Sequence, residues 1–213
     1  MAYREIWRET TARIPALLPA EEAVMAAHAA LRDCFAAGGK LLVGGNGGSA
    51  ADAEHIVSEL MKGFVKARAL NEEACCALVA ADADLGFRLA STLQGALPAI
   101  ALGVHTALST AFANDRDPVA AFAQQVWGYG REGDVLLAIS TSGNAENLCL
   151  AAVAAKAKGM RVIALTGNSG GKLRGLADIA ICVPEHNTPR VQELHLPLYH
   201  ALCMMLESDF FEA

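Results

Sequence analysis

A histidine and a glutamate stand one helical turn apart directly behind a glycine-rich turn in this 213-residue chain. The turn, Gly44 to Gly48, follows the apolar run Leu41 to Val43, which is typical of a buried strand, and Ser49 then opens a helix. On that helix the i, i+4 spacing of His55 and Glu59 puts an imidazole and a carboxylate on one face, where they could bind a metal ion or transfer a proton. The alternative is a solvated ion pair on an exposed helix face.

The glycine turn is suited to bind an anion. Glycines let the backbone come close to a ligand, and the free N–H groups and positive dipole end of the following helix favour a negative group such as a sugar phosphate. The turn matches neither the dinucleotide-binding G-x-G-x-x-G pattern nor the G-x-x-x-x-G-K-[ST] phosphate loop. An ordinary strand-to-helix turn of an α/β protein is the alternative.

A second strand-to-helix junction has the same character. The apolar strand Asp134 to Ile139 runs into Ser140, Thr141 and Ser142, and a helical stretch follows at 146 to 158. Hydroxyl groups can donate hydrogen bonds to phosphate oxygens. An ordinary helix N-cap needs one such residue, so three in succession favour a phosphate site.

Further motifs extend this pattern over nearly the whole chain. They are Asn114-Asp115, Leu165 to Gly171, and Arg190 to His195 followed by His200. Together with the Gly-Asn-Gly-Gly-Ser turn, the His55/Glu59 helix and the Ser-Thr-Ser-Gly-Asn turn, they resemble the bacterial phosphoheptose isomerases of the sugar-isomerase (SIS) superfamily. The serine-rich turn alone would indicate only a SIS domain.

The resemblance implies an aldose-ketose isomerase that converts sedoheptulose 7-phosphate to D-glycero-D-manno-heptose 7-phosphate through an enediol, for the heptose of surface polysaccharides. Glu59 would move the carbon-bound proton, and His200 would be the acid/base that assists ring opening and serves the sugar oxygens. The implied substrate-binding residues are Asn46, Gly47, Gly48, Ser49, Glu59, Asn114, Asp115, Ser140, Thr141, Ser142 and Gln192.

The resemblance also implies one zinc ion per subunit. The implied ligands are His55, Glu59, Gln192 and His200. A nitrogen and oxygen set without cysteine suits a catalytic zinc ion. Gln192 and His200 are eight residues apart on one helix, a rise of about 12 Å, so either Pro197 bends the helix, long side chains converge, or the two residues serve different subunits' sites. His195 is expected to be a hydrogen-bonded packing histidine.

Two positions depart from the family pattern. Ala145 stands where a serine usually follows the Ser-Thr-Ser-Gly-Asn turn, and Pro189 stands where well-known members have an acidic residue. An isomerase or sensor for another sugar phosphate is therefore an alternative. A non-catalytic SIS adaptor that binds the bacterial replication initiator protein is another, but it lacks the groups that correspond to Glu59 and His200.

Composition limits the classes of partner. The net charge of −6 gives no electrostatic footprint for nucleic acid or an anionic membrane surface, and no apolar run approaches the roughly 20 residues that span a bilayer. The six cysteines form no C-x-x-C motif and read as reduced thiols. The charged N-terminus lacks the apolar segment of a signal peptide. We therefore expect a cytoplasmic protein.

Apolar strands alternate with helical stretches. Strands are predicted at 40–44, 98–102, 134–139, 161–166 and 179–183. This order predicts an α/β fold with a doubly wound five-stranded parallel sheet flanked by helices, a single SIS domain by resemblance. We assign residues 1–38 to an N-terminal helical oligomerisation region, broken near Pro15 and Pro19, and residues 39–213 to the SIS domain.

Two regions bear on assembly. The N-terminal helices carry apolar residues that one small sheet is not expected to cover, namely Ile14, Leu17, Leu18, Val24 and Leu31. We therefore predict an oligomer, and the resemblance implies a homotetramer with sites at subunit interfaces. A helical insertion at about 65–96, with helix starts at Asn71 and Asp82, is either a surface excursion or a lid or interface element.

Overall fold

Five parallel strands form the centre of the protein in the computed structural model, which describes residues 2–211. The strands are β1 (Leu41–Gly45), β2 (Ala99–Ala101), β3 (Val135–Ser140), β4 (Arg161–Thr166) and β5 (Ile179–Cys182). Their order in the sheet is β2-β1-β3-β4-β5, and the predicted five-stranded parallel sheet is confirmed. Because the strand order reverses between β1 and β3, a crevice is expected beyond their carboxyl ends.

Helices cover both faces of the sheet. They are α1 (Ala2–Arg13), α2 (Glu21–Ala36), α3 (Gly48–Met61), α4 (Glu72–Ala81), α5 (Ala83–Thr92), α6 (Thr106–Asp115), α7 (Ala121–Tyr129), α8 (Glu146–Ala157), α9 (Gly171–Leu176) and α10 (Thr188–Phe210). A 3₁₀ turn at Pro15–Ala20 separates α1 from α2, which confirms the predicted break at the prolines, and a second lies at Pro118–Ala120. None of the helices described is both long and apolar enough to cross a membrane.

Strand side chains alternate between two buried layers. Leu41 and Val43 contact a layer that includes α1, α2, α3 and α10, whereas Leu42 and Leu136 contact a layer that includes α7, α8 and α9. Because both faces of every central strand are covered, the strands read as continuous apolar runs in the sequence. The first layer contains the two helices that carry the predicted chemistry, α3 and α10.

The N-terminal helices belong to that same layer. Leu17, Val24 and Leu31 are at most 1% exposed, while Leu18 is 51% exposed. They are covered within one chain because α1 packs along α10, and α2 packs against α10 and β5. The expectation that these residues lie uncovered is therefore wrong for Leu17, Val24 and Leu31 but not for Leu18, and the oligomeric state stays a prediction.

The predicted insertion forms a helical hairpin of α4 and α5. Both predicted helix starts are present, since the side chain of Asn71 accepts the Ala74 N–H and that of Asp82 accepts the Leu85 N–H. Gly86 is the one residue of the two helices that is buried. The hairpin therefore lies on the surface of the single chain.

Candidate active site

The helices α3 and α10 lie side by side and run in the same direction. Near the start of α3, Gly48 faces the Gln192 side chain, and two turns later His55 meets His200. Later residues of α3 therefore contact later residues of α10, as in any parallel pair of helices. This pairing explains how Gln192 and His200 are separated by eight residues and yet both face α3.

His55 is the meeting point of the proposed catalytic groups. Its Nε2 atom lies 3.2 Å from Glu59 Oε1 and 3.4 Å from His200 Nε2. The Glu59 side chain is nearly buried, at 10% exposed, while that of His55 is 39% exposed. A carboxylate and an imidazole that are 141 residues apart are thus held against the same ring nitrogen.

The Tyr199 hydroxyl holds the opposite side of the His55 ring. It donates to Asp52 Oδ1 at 3.2 Å and lies 3.1 Å from His55 Nδ1. Because the single hydroxyl proton is used by Asp52, His55 Nδ1 is the donor to the tyrosine oxygen, which leaves His55 Nε2 free of a proton in the neutral ring. Burial, followed by the nearby Asp52 carboxylate, raises the pKa of Tyr199, so the hydroxyl stays protonated.

Sequence reasoning missed the contribution of Tyr199. Its position next to His200 in the Tyr-His pair was a signal, but adjacent residues on a helix point about 100° apart and are not usually assigned to one site. The ring is 1% exposed and packs edge-on against both His55 and His200. Packing therefore brings it to the site.

Two further groups act on the catalytic pair. Lys62, at the end of α3, donates to Glu59 Oε2 at 3.0 Å. The Phe64 ring lies 5.3 Å from the His200 ring, centre to centre. Burial, and then the neighbouring His55, lower the pKa of His200, which favours the neutral imidazole at neutral pH.

A cleft of about 400 Å³ lies beyond the carboxyl ends of β1 and β3, between the glycine turn and the serine turn. Its lining includes Asn46, Gly47, Gly48, Ser49, Ser140, Thr141, Ser142, Ala145 and Gln192. Gly47 has a φ of +56°, which a residue with a Cβ rarely adopts, and an added Cβ on Gly48 would collide with the Gln192 amide. The two turns predicted separately from sequence therefore form one site.

Asparagine side chains brace the two turns. Asn46 and Asn147 exchange two hydrogen bonds of 3.0 Å and 2.8 Å, which join the glycine turn to the start of α8. Asn144 donates its backbone N–H to Ser142 Oγ, and its side-chain oxygen accepts the Lys172 N–H. Asn147 gave no sequence signal because a helical asparagine is usually solvated.

Known proteins resemble this chain in sequence. A family model described as the SIS domain matches residues 78–167. A phosphoheptose isomerase of Nitratiruptor sp. is 41% identical over 171 residues, which cover 80% of this chain and 78% of the relative. The chain belongs to the phosphoheptose isomerase family.

Two solved phosphoheptose isomerases have the same fold. That of Neisseria gonorrhoeae is 33% identical with a TM-score of 0.72 and covers 98% of this chain and 100% of its own. That of Francisella tularensis is 33% identical with a TM-score of 0.73 and covers 97% of this chain and 98% of its own. The family resemblance and the fold predicted from the sequence are thereby confirmed.

The ligand set that the phosphoheptose isomerase resemblance implies is only partly assembled. Within residues 2–211, no group of three or more His, Cys, Asp or Glu side chains is arranged as a metal site. His55, Glu59 and His200 adjoin one another, but no hydrogen bond in this part of the chain joins them to Gln192, which faces the glycine turn. The donors fit zinc in kind, being two imidazoles, a carboxylate and an amide oxygen.

The other residues singled out from the sequence are not part of the cleft lining. Asn114 and Asp115 hydrogen-bond to each other at the exposed end of α6 and are not among the residues that line the cleft. His195 is fully buried, as expected of a packing residue, but neither ring nitrogen has a hydrogen-bond partner within the described structure. Pro189 lies in the first turn of α10, where a proline fits because no backbone donor is needed.

Proposed function

We propose that this protein is an aldose-ketose isomerase that converts sedoheptulose 7-phosphate to D-glycero-D-manno-heptose 7-phosphate, for heptose destined for surface polysaccharides. The observation that carries the proposal is the contact of both Glu59 and His200 with His55. Membership of the phosphoheptose isomerase family supports the same reaction.

The spacing of the two halves of the site suits a long sugar phosphate. Ser49, in the turn that would bind the phosphate, and His55 are six residues apart on α3, a rise of about 9 Å. The reacting carbons C1 and C2 of a heptose 7-phosphate are likewise several bonds away from its phosphate. A substrate with the phosphate at the glycine and serine turns would therefore extend toward Glu59.

The reaction requires a proton to move between neighbouring carbons. Glu59 takes the proton from C1 of the ketose, which gives an enediol, and returns it to C2 to form the aldose. His200 transfers a proton between the sugar oxygens in the opposite sense and assists ring opening. Lys62 holds one oxygen of Glu59 and leaves the other near His55 and the substrate.

The predicted binding residues divide by location. The amides and hydroxyl groups of the two turns would hold the phosphate and the adjacent sugar, with Gln192 closing the cleft above Gly48. Ala145 contributes no hydroxyl group, so fewer donors are available than in the usual family pattern. Asn114 and Asp115 would contact sugar hydroxyl groups, although neither is among the residues that line the cleft of the single chain.

We also propose one zinc ion per subunit, held by His55, Glu59, Gln192 and His200. Such an ion would polarise the sugar carbonyl. The support is the donor chemistry and the proton-free Nε2 of His55, which the Tyr199 contact leaves facing Glu59. Elemental analysis of the purified protein before and after dialysis against a chelator should show about one zinc per chain and its loss, and absence of metal in the His55→Ala variant.

The assembly and cellular setting are proposed with the function. The six free cysteines are compatible with a reducing cytoplasm. A homotetramer would cover apolar side chains of the α4–α5 hairpin, such as Leu85 and Phe87, which are 61% and 70% exposed. Light scattering at micromolar concentration should give four times the chain mass, and a monomeric mass would contradict the assembly.

The function is tested by incubating the purified protein with sedoheptulose 7-phosphate and following the aldose product by a coupled assay. We expect turnover, and in deuterated water we expect solvent deuterium at C2 of the product where the Glu59 proton exchanges before its return. Turnover with another ketose phosphate and none with this substrate would contradict the substrate assignment. No turnover with any of them would contradict the proposed function.

A further inference from the structure

A fully buried ion pair links the two helices of the site away from the cleft. Arg68, in the segment after α3, donates from Nε to Glu207 Oε1 at 2.8 Å, and Glu207 lies on α10. Both side chains are 0% exposed. Burying two charges costs free energy that an apolar pair of similar size would not cost, so this pair is weak evidence for stability alone.

The Arg68 guanidinium caps the end of the helix that carries Glu59. Its two terminal nitrogens donate to the backbone carbonyls of Leu60 at 2.7 Å and of Glu59 itself at 2.9 Å. Carbonyl groups in the last turn of a helix have no partner within the helix, so these bonds fix the end of α3. The arginine thus holds the backbone of the proposed catalytic base.

Glu207 fixes the chain that follows. Its carboxylate accepts the N–H groups of Phe64 at 2.9 Å and of Val65 at 3.0 Å. Burial alone would raise the pKa of Glu207, but these donors and Arg68 outweigh it and keep the pKa below its usual value. The bond between Arg68 and Glu207 and the four bonds of the pair to the backbone all involve a charged carboxylate or a charged guanidinium, which makes them short and directional.

The same group is in register with His200. Glu207 follows His200 by seven residues, about two turns, so the two lie on one face of α10. Phe64, whose N–H is held by Glu207, packs its ring against His200. This one ion pair thus contacts the backbone of Glu59 on α3 and the Phe64 residue that packs against His200 on α10.

We propose that Arg68 and Glu207 are positioning residues that set the distance between Glu59 and His200 for proton transfer. This inference rests on the proposed isomerase function. An apolar pair in the same space would fill volume but would not direct the Glu59 carbonyl or the Phe64 N–H. A misplacement of about 1 Å of a catalytic group can cost about 10²-fold in rate.

The test compares a charge-free variant with the native pair. Arg68→Met/Glu207→Leu removes both charges together, since removal of one alone would leave the other buried and unpaired. We expect a folded protein with a KM within about twofold of the native value and a kcat lower by about 10²-fold. A native kcat in this variant would overturn the proposal.

The control replaces an exposed ion pair in the same way. Glu5→Leu/Arg8→Met alters a pair on α1 whose side chains are 53% and 73% exposed, and kcat should not change. Should the buried double variant not fold, Arg68→Lys keeps both charges but loses the planar guanidinium that reaches the carbonyls of Glu59 and Leu60. It should lower kcat about tenfold at unchanged KM, and unchanged kcat would again overturn the proposal.

A readout independent of turnover separates this inference from the isomerase function. The ring signals of His55 and His200 in nitrogen-15 spectra should shift in Arg68→Met/Glu207→Leu and stay in place in the control. If the native protein does not act on sedoheptulose 7-phosphate, the proposed function fails on its own. If the native protein is active and the ring signals and kcat of the double variant are native, only the positioning role fails.

Discussion

The α3–α10 pair and the α4–α5 hairpin are both helix pairs, but they bury different things. Where α3 and the segment after it meet α10 lie charged groups that are almost fully enclosed, including Glu59 and Glu207. In the hairpin, by contrast, each helix begins at a capping side chain, and large apolar residues such as Phe87 are exposed. The first pair is held by directional contacts from distant parts of the chain, whereas the second is formed largely from local signals.

This difference teaches where substitutions should matter. The carboxylates of Glu59 and Glu207 are expensive to bury, and each has hydrogen-bond partners there. The hairpin has no such groups in the described structure, and its exposed apolar face is suited to contact another surface. We expect substitutions between α3 and α10 to lower the rate of the reaction, and substitutions on the exposed face of the hairpin to change the oligomeric state.

The largest effect is expected for Glu59→Gln. The amide keeps the shape but cannot accept the carbon-bound proton, so kcat should fall by about 10³-fold with the fold retained. The coupled assay measures kcat, and circular dichroism checks that the variant is folded. Glu54→Gln, an exposed position on the same helix, is the matched control and should have native activity. Near-native turnover in Glu59→Gln would remove this residue from the mechanism.

The next effect is a loss of stability in acid, caused by His195 on α10. The helices of the α4–α5 hairpin contain no histidine and so contribute nothing to this effect. Burial lowers the pKa of His195 from 6.5 to about 4. As the pH falls, the unfolded chain therefore binds a proton at this histidine at a higher pH than the folded protein does. The contribution of neutral His195 to the free energy of unfolding is complete above pH 6.5 and is lost between pH 6.5 and about 4. The loss amounts to roughly 3 kcal/mol.

Urea unfolding at a fixed protein concentration across this pH range measures that loss. The slope of the free energy of unfolding against pH gives the number of protons taken up on unfolding. This number should be smaller by about one in His195→Leu. Equal slopes in the native protein and the variant would show that His195 is not the group responsible.

A smaller effect on rate is expected for Tyr199→Phe. The variant keeps the buried ring but removes the hydroxyl group that holds His55 Nδ1 and Asp52. The His55 ring loses its fixed orientation, so kcat should fall roughly tenfold. Nitrogen-15 spectra should show a mixture of His55 tautomers. A single unchanged tautomer with reduced kcat would contradict this explanation.

The smallest effect on the single chain is expected for Phe87→Ser on the hairpin. Because the ring is 70% exposed, its loss should change the stability of the isolated chain by no more than about 0.5 kcal/mol. If the hairpin mediates assembly, light scattering should show a lower mass. An unchanged mass would locate the contacts between copies elsewhere.

Local sequence signals determined most of the framework. Apolar runs predicted every strand to within one or two residues, because strands enclosed on both faces admit few polar residues. Asn71, Asp82 and the prolines of the N-terminal region gave helix boundaries because capping and missing N–H groups act within a few residues. The two turns that line the cleft were recognisable for the same reason.

The sequence by itself thus determined the sheet, the two turns and the identity of the residues able to do chemistry. Only the tertiary structure decided that Gln192 faces Gly48 while His200 meets His55, that Tyr199 orients that ring, and that Arg68 and Glu207 join the two helices. The two residues of each of these pairs are more than 130 residues apart in the chain. Their contacts depend on how α3 and α10 pack on the sheet, and no local pattern of residues encodes that packing.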